Sequence, residues 1–373
     1  MNKIYVPILM AVLASCPSEA TTTEDEIALI KKQLIELQKR LAKLESDNKR
    51  LTKKAENTKA PSVIRGQEKT KGQTKLYASL RPTYGYIEQT NTDFWDIQDA
   101  LSNAGFKSTY QFKPGWSAIA HGEWSVDLGN NGDFGKARQV YVALNTPFGQ
   151  LGIGKQRPAQ YTLIAEYVDI FNHRSSPFAY DMESPFFVNN MVTYEKKLGH
   201  FKFMLGGQFD GENNSESADF INTGLGYSNN GNYASVTYST KEVFDENQVK
   251  LGKTNVYAAM LAKDFSAKLY GAIAYQDVDY AFDSSRAGTT LDISLGYRIL
   301  PQYRLKLGYF DFDDGVVKPL TKSHNGTNLT LEWLPSDNLR FHLEYLTKSF
   351  DTLPNNHSVS IGFRYDYAEK WQY

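Results

Sequence analysis

Four carboxylates, Glu166, Asp169, Asp181 and Glu183, fall within one segment, Arg157 to Phe187, that also carries Tyr161, Leu163, Ile164, Tyr167, Phe171, Phe178, Phe186 and Phe187. The segment is too long for an ordinary hairpin connection, and long loops in compact proteins are usually functional. A loop surrounded by water has no use for so many apolar side chains. It must pack against another surface and carry its acids there. Cationic side chains that could face those acids are Arg81, Arg138, Lys155 and Arg157. Opposed charges of this kind act on a solute through their field rather than by bond making. The sequence has no His/Cys metal spacing, no Gly-rich phosphate loop and no nucleophile elbow, and its six His are scattered. No enzyme, metal or cofactor is expected; a hydrolase would need a Ser and a His from separate strands, and nothing selects a pair.

The elements that must position these residues are strands. Leu291, Ile293, Leu295, Tyr297 and Ile299 alternate with Asp292, Ser294, Gly296 and Arg298. The same period of two runs through Tyr303–Tyr309, Leu339–Tyr345 and Val359–Tyr367, so one face suits lipid and the other water. Aromatic residues make up 13% of the chain, with 24 Tyr and 21 Phe. The mean hydropathy of −0.48 is nevertheless too polar for a bundle of membrane helices. A transmembrane β-barrel reconciles the two, because only alternate residues meet lipid. The net charge of −1 gives no broad attraction to nucleic acid, which is not expected as a partner.

A soluble sandwich would alternate as well, and loop lengths separate the readings. Short connectors stand at Lys113-Pro114-Gly115, Pro147-Phe148-Gly149, Leu198-Gly199, Asn229-Asn230-Gly231, near Ser266, at Pro301 and at Pro335 to Asn338. Longer polar stretches lie between them, including Ile87 to Gly105, Asp210 to Ser217, Glu242 to Lys253 and Asp313 to Asn325. Alternating tight and long connections predict an all-β fold, an antiparallel barrel of about sixteen strands with both ends on the tight-turn side. Aromatics near strand ends, such as Tyr84, Tyr86, Trp116, Phe148, Phe265, Tyr303, Trp333, Tyr365 and Tyr367, fit interfacial girdles.

Ahead of the barrel, assigned to 75–373, three segments are expected. Residues 1–20 read as an export signal, with Lys3, an apolar run from Ile4 to Ala14 and small residues around Ala20. Leu13-Ala14-Ser15-Cys16 also fits a lipidation motif, so removal of Cys16 and its lipidation both stand. Residues 24–55 read as a short parallel coiled coil, with Ile27, Ile30, Leu34, Leu37, Leu41, Leu44 and Leu51 on the seam and Asn48 within it. A lone amphipathic surface helix is the alternative. Residues 56–74 read as a flexible linker.

Arg138-Gln139-Val140-Tyr141-Val142-Ala143-Leu144, followed by Pro147-Phe148-Gly149 and Gly154-Lys155-Gln156-Arg157-Pro158, resembles the signature stretch of the general bacterial porins. The last strand, with Gly362, Tyr365 and Tyr367, is similar to the signal that barrel-assembly machinery reads. The resemblance spans about Lys75 to Tyr367. It implies a homotrimer in the outer membrane of a Gram-negative bacterium, with the coil in the periplasm. It further implies that the third loop, 157–187, folds into the lumen, so that Glu166, Asp169, Asp181 and Glu183 face Arg81, Arg138, Lys155 and Arg157 across a constriction. Arg138 shares the parity of Val140 and Val142 and needs a bulge to point inward. The sequence departs from the family where an arginine is usual and Phe187 stands, and in the residues Ala368 to Tyr373 after the final aromatic. The expected function is passive diffusion of small hydrophilic solutes and ions. Alternatives are a sugar-specific porin with Tyr77 or Phe310 as stacking surfaces, and an envelope tether whose coil binds peptidoglycan.

Overall fold

The computed structural model describes residues 71–89, 92–130, 132–172, 184–209, 218–247, 249–283 and 286–373, together with Lys39 and Lys43. The export signal with Cys16, the coil seam, the linker up to 70, Asp181 and Glu183 lie outside the described residues. The chain divides into two units, Met1–Glu68 and Lys69–Tyr373. In the first, Lys39 and Lys43 are helical and exposed.

The second unit is a closed antiparallel barrel. Its strands are β1 (Lys71–Leu80), β2 (Pro82–Gln89), β3 (Thr92–Asp99), β4 (Asn103–Lys113), β5 (Trp116–Val126), β6 (Phe134–Thr146), β7 (Gly149–Gln156), β8 (Val188–Leu198) and β9 (Phe201–Gln208). Then follow β10 (Phe220–Asn229), β11 (Asn232–Phe244), β12 (Lys250–Asp264), β13 (Leu269–Tyr280), β14 (Ala287–Leu300), β15 (Tyr303–Asp313), β16 (His324–Ser336), β17 (Leu339–Phe350) and β18 (Asn356–Gln372). Two staves are each broken once, so these eighteen segments make sixteen staves. β1 and β2 are one stave interrupted at Arg81, where Pro82 supplies no N–H. β3 and β4 are its neighbour, and Ser102 Oγ accepts the Arg81 N–H at 2.7 Å across the break. Closure comes from β18 pairing with both β1 and β2.

The tight connections fall at 114–115, 147–148, 199–200, 230–231, 265–268, 301–302 and 337–338, one at each of the short connectors read from the sequence. Ile87 to Gly105 is a correction. There β2 and β3 pair as a hairpin from Pro82↔Asp99 to Gln89↔Thr92, Trp95 stacks on Tyr84 (centroids 5.0 Å apart), and the pair continues the wall. The barrel pairing also begins at Lys71 rather than Lys75. The last strand does not stop at Tyr367: residues up to Gln372 pair with β1.

Parity then decides which side chains meet lipid. In β16, Asn328, Thr330 and Glu332 are fully buried toward the interior, while Leu329, Leu331 and Trp333 are 45%, 41% and 42% exposed on the outer face. Tyr84, Phe148, Phe265, Tyr303, Trp333, Tyr365 and Tyr367 are exposed in the same way, and Tyr86 and Trp116 are half-buried. Gly362 faces inward, where an added Cβ would come within 2.6 Å of the His342 ring. Among the described residues no helix is long and apolar enough to cross a membrane. A charge placed mid-strand on the outer face should therefore cost about 2–4 kcal/mol. Ile273→Lys in β13 is the test, by urea unfolding in lipid vesicles. A loss within the scatter of ordinary surface substitutions would mean that this face does not meet hydrocarbon.

Candidate functional site

The third long connection leaves β7 and turns inward. A π-helical turn, Tyr161–Ala165, runs into an α-helical turn, Glu166–Val168. Tyr161, Leu163, Ile164, Ala165 and Val168 pack on Met204, Ala258, Met260, Ala262, Ala272 and Ala274 of the inner wall. The wall is built of small residues at that place, which is why a helix fits inside it. Gly224 and Gly308 bring the backbone closer still: a Cβ would lie 2.6 Å from Leu163 Cδ1 at the first and 2.4 Å from Phe171 Cζ at the second.

Polar groups of the wall take up the backbone that this loop leaves unpaired. Ser235 Oγ donates to Leu163 O at 2.5 Å, Tyr270 to Tyr167 O at 2.7 Å and Ser294 to Val168 O at 2.6 Å. Lys306 Nζ donates to Ile170 O. Asn172 closes the clamp, its N–H reaching Glu344 at 3.0 Å and its Nδ2 reaching Glu332 at 2.7 Å. Glu332 is fully buried and is held by Lys306 at 2.6 Å, Arg340 at 3.5 Å and Arg304 at 3.6 Å. A buried carboxylate persists only when it is paired, and here Oε1 takes Lys306, Arg340 and Asn172 while Oε2 is left with the Arg304 guanidinium.

The cationic candidates separate. β6 carries one more residue than β5 between the pairs Glu123↔Gln139 and Trp124↔Ala137, and the extra residue is Arg138. The bulge re-aims its side chain inward, and Nε donates to Glu123 at 2.8 Å. Glu123 also accepts from Tyr77 at 2.9 Å, and His121 Nε2 lies 2.8 Å from the Tyr77 oxygen. Arg157 lies 3.6 Å from the Tyr161 ring centroid and 4.6 Å from that of Phe187, while Arg138 sits 5.0 Å from Phe187 on its own side. Phe187, at the family's usual arginine position, is thus flanked by two guanidiniums. Arg81 Nε donates to Ser79 at 2.8 Å. Lys155 is different. It stands directly opposite Val140, so it shares the outer face with Leu151 and Ile153 and does not belong to the inner wall.

Of the acids, Glu166 is exposed to the lumen and within electrostatic reach of Arg157 and Lys202, and Asp169 is within reach of Arg81. Of the two stacking surfaces expected of a sugar channel, Phe310 offers no face to the lumen, being 1% exposed and packed with Phe312 and Leu346, while Tyr77 is half-buried with its hydroxyl on Glu123. Sequence reasoning missed Glu123, Arg304, Lys306, Glu332, Arg340 and Arg364. Each lies on the polar parity of a recognisable strand, but parity alone says nothing of which strands are neighbours. Among the described residues no group of His, Cys, Asp and Glu could hold a metal ion.

A lipid-facing closed barrel with a loop folded into a charged lumen defines a channel, an outer-membrane protein for passive diffusion. The chain belongs to the Gram-negative porins, whose family model matches residues 60–371. The fold is similar to that of the anion-selective porin from Comamonas acidovorans, with a TM-score of 0.66 and 16% identity, covering 79% of this chain and 100% of that one. It is similar also to OmpF of Salmonella typhi in complex with daunomycin, at 0.64 and 14% identity over 79% and 97% of the two chains. OmpT of Vibrio cholerae in its trimer form matches at 0.60 and 16% identity over 79% and 99%. No curated protein matches the sequence.

Filling the space under the loop tests its packing. Gly224→Val should cost about 1–3 kcal/mol, the usual penalty of overpacking, and should lower single-channel conductance as the helix is pushed off the wall and into the gap. An unchanged conductance in folded protein would mean that this contact does not set the loop's position.

Proposed function

We propose that Glu166 and Asp169 on the inward loop, facing Arg81, Arg138 and Arg157 on the wall, form the constriction of a water-filled channel for small hydrophilic solutes and ions. The observation that carries this reading is the loop's anchorage. Its apolar face is spent on the wall, and Glu166 is left toward the lumen opposite the arginines. A field across the narrowest section orients water and polar solutes and penalises apolar ones, while the width sets the size limit. Asp181 and Glu183 belong to the same loop and would add to its acidic side.

The assembly proposed is a homotrimer, which the trimer form of a structural neighbour supports. Three barrels side by side would hold the three short coil strands near one another, since under four heptads are marginal alone. The coil would then lie in the periplasm, within reach of peptidoglycan. Gly362, Tyr365 and Tyr367 would serve the assembly machinery, with the two tyrosines outward on the lipid face.

Replacing Glu166→Gln and Asp169→Asn together should move the reversal potential in a KCl gradient toward anions in planar-bilayer recordings. Identical reversal potentials in wild type and double variant would remove these two acids from the constriction.

A further inference from the structure

On the outer wall, β11 to β14 enclose a groove between two rows of directly opposed residues. Ala234, Leu261, Ile273 and Ile293 form the row nearer the middle of the strands. Asn232, Lys263, Gly271 and Leu295 form the row beside the tight turns at 230–231 and 265–268. Leu261, Ile273 and Leu295 are exposed, which fixes this as the lipid face. The residues between the rows include Ala262 and Ala272, which turn inward and take the third loop on the other side of the wall. Gly271 has no side chain where its neighbours have one, and a groove of about 480 Å³ opens there.

The groove is apolar except at its turn-side end, where Lys263 stands with its ammonium 5.7 Å from the Phe265 ring centroid. Among the described residues no carboxylate forms an ion pair with Lys263. Asp264 alternates to the lumen side and accepts from the Tyr233 hydroxyl at 3.2 Å. Tyr227 also lines the groove; its hydroxyl accepts Asn229 Nδ2 at 3.2 Å and keeps its own proton to donate. A lysine that served only as an interfacial anchor would need no groove beside it. Conversely, a second apolar groove on the outer wall, lined by residues such as Tyr84, Leu331, Trp333, Phe341 and Ile361, has no cation. An unpaired cation at the membrane edge, continuous with a cleft running into hydrocarbon, fits an amphiphile with an anionic head. A strand of a partner protein would bring backbone N–H and C=O groups that this cleft cannot pair, whereas a hydrocarbon chain brings none.

We infer that this groove binds one phospholipid of the leaflet on the tight-turn side, with the phosphate on Lys263 and Tyr227 and an acyl chain lying over Gly271 between Leu261, Ile273 and Leu295. Moving a lipid chain from the bilayer onto an apolar wall gains no hydrophobic energy, since both surroundings are equally apolar. Selectivity for one lipid must come from the shape of the cleft and from the charge-assisted hydrogen bond to its head. The site stands on the lipid-facing wall and does not depend on the constriction.

The test is native mass spectrometry of the full-length protein in detergent, titrated with dioleoyl phosphatidylglycerol and, as the headless control, dioleoylglycerol. Wild type should retain one phosphatidylglycerol per chain and hold dioleoylglycerol more weakly. Lys263→Gln should raise the half-saturating phosphatidylglycerol concentration about tenfold, the worth of one charge-assisted hydrogen bond, and leave dioleoylglycerol unchanged. Gly271→Ile fills the cleft. Its added Cβ would meet only the side-chain ends Leu295 Cδ2 and Phe265 Cε2, both at 3.1 Å, and a β-branched residue suits an outward strand position, so the barrel is spared. It should abolish the retained lipid while single-channel conductance stays at the wild-type value. Equal retention in wild type and the isoleucine variant would mean a nonspecific annulus of lipid and overturns the site. Equal binding of the two lipids, or loss in the isoleucine variant with the glutamine variant unchanged, would leave a bare acyl-chain cleft and overturn the phospholipid assignment.

Discussion

Everything in this molecule depends on the absence of hydrogen-bonding partners in hydrocarbon. A strand in lipid must pair along both edges, so the sheet has to close, and here it closes where β18 meets β1 and β2. Closure fixes register around the ring, and register fixes the face of every side chain. The apolar outer wall and the charged lumen are two consequences of one constraint. The exceptions are local and purposeful in effect: the bulge at Arg138 turns a side chain inward that simple alternation would send to lipid.

A closed ring of sixteen staves leaves a lumen too wide to select anything by itself. The inward loop narrows it, and it does so with ordinary folding forces. Alanines and glycines of the wall make room, apolar residues of the loop fill that room, and hydroxyls of Ser235, Ser294 and Tyr270 bind its exposed carbonyls. The far end is fastened by Asn172 to Glu332 and Glu344. Glu332 thereby links the loop to Lys306 and to the arginines beyond, so the loop's position and the charge of the wall are parts of one network.

That network also divides the charges by role. Glu123 and Glu332 are consumed by their neighbours and hold structure together. Glu166 faces the lumen, and Arg81 and Arg298 have no carboxylate in ion-pair range among the described residues. Charges left without a local partner in a confined, water-filled space are those a passing solute can feel.

The sequence by itself determined the fold class, the seven tight turns, the strands toward the C-terminus and the unusual apolar content of the third loop. These follow from period-two alternation and turn chemistry, which are local. It also located Phe187 where a basic residue was expected, but not the two arginines that come to flank it. Only the tertiary structure placed Lys155 on the outer face, paired β2 with β3 within Ile87 to Gly105, buried Phe310, and stood Arg298 opposite Arg304 and Arg340 opposite Arg364. Alternation tells which residues share a face of one strand. Which residues of different strands stand side by side depends on register, bulges and ring closure, and those are settled by pairings between segments far apart in the chain.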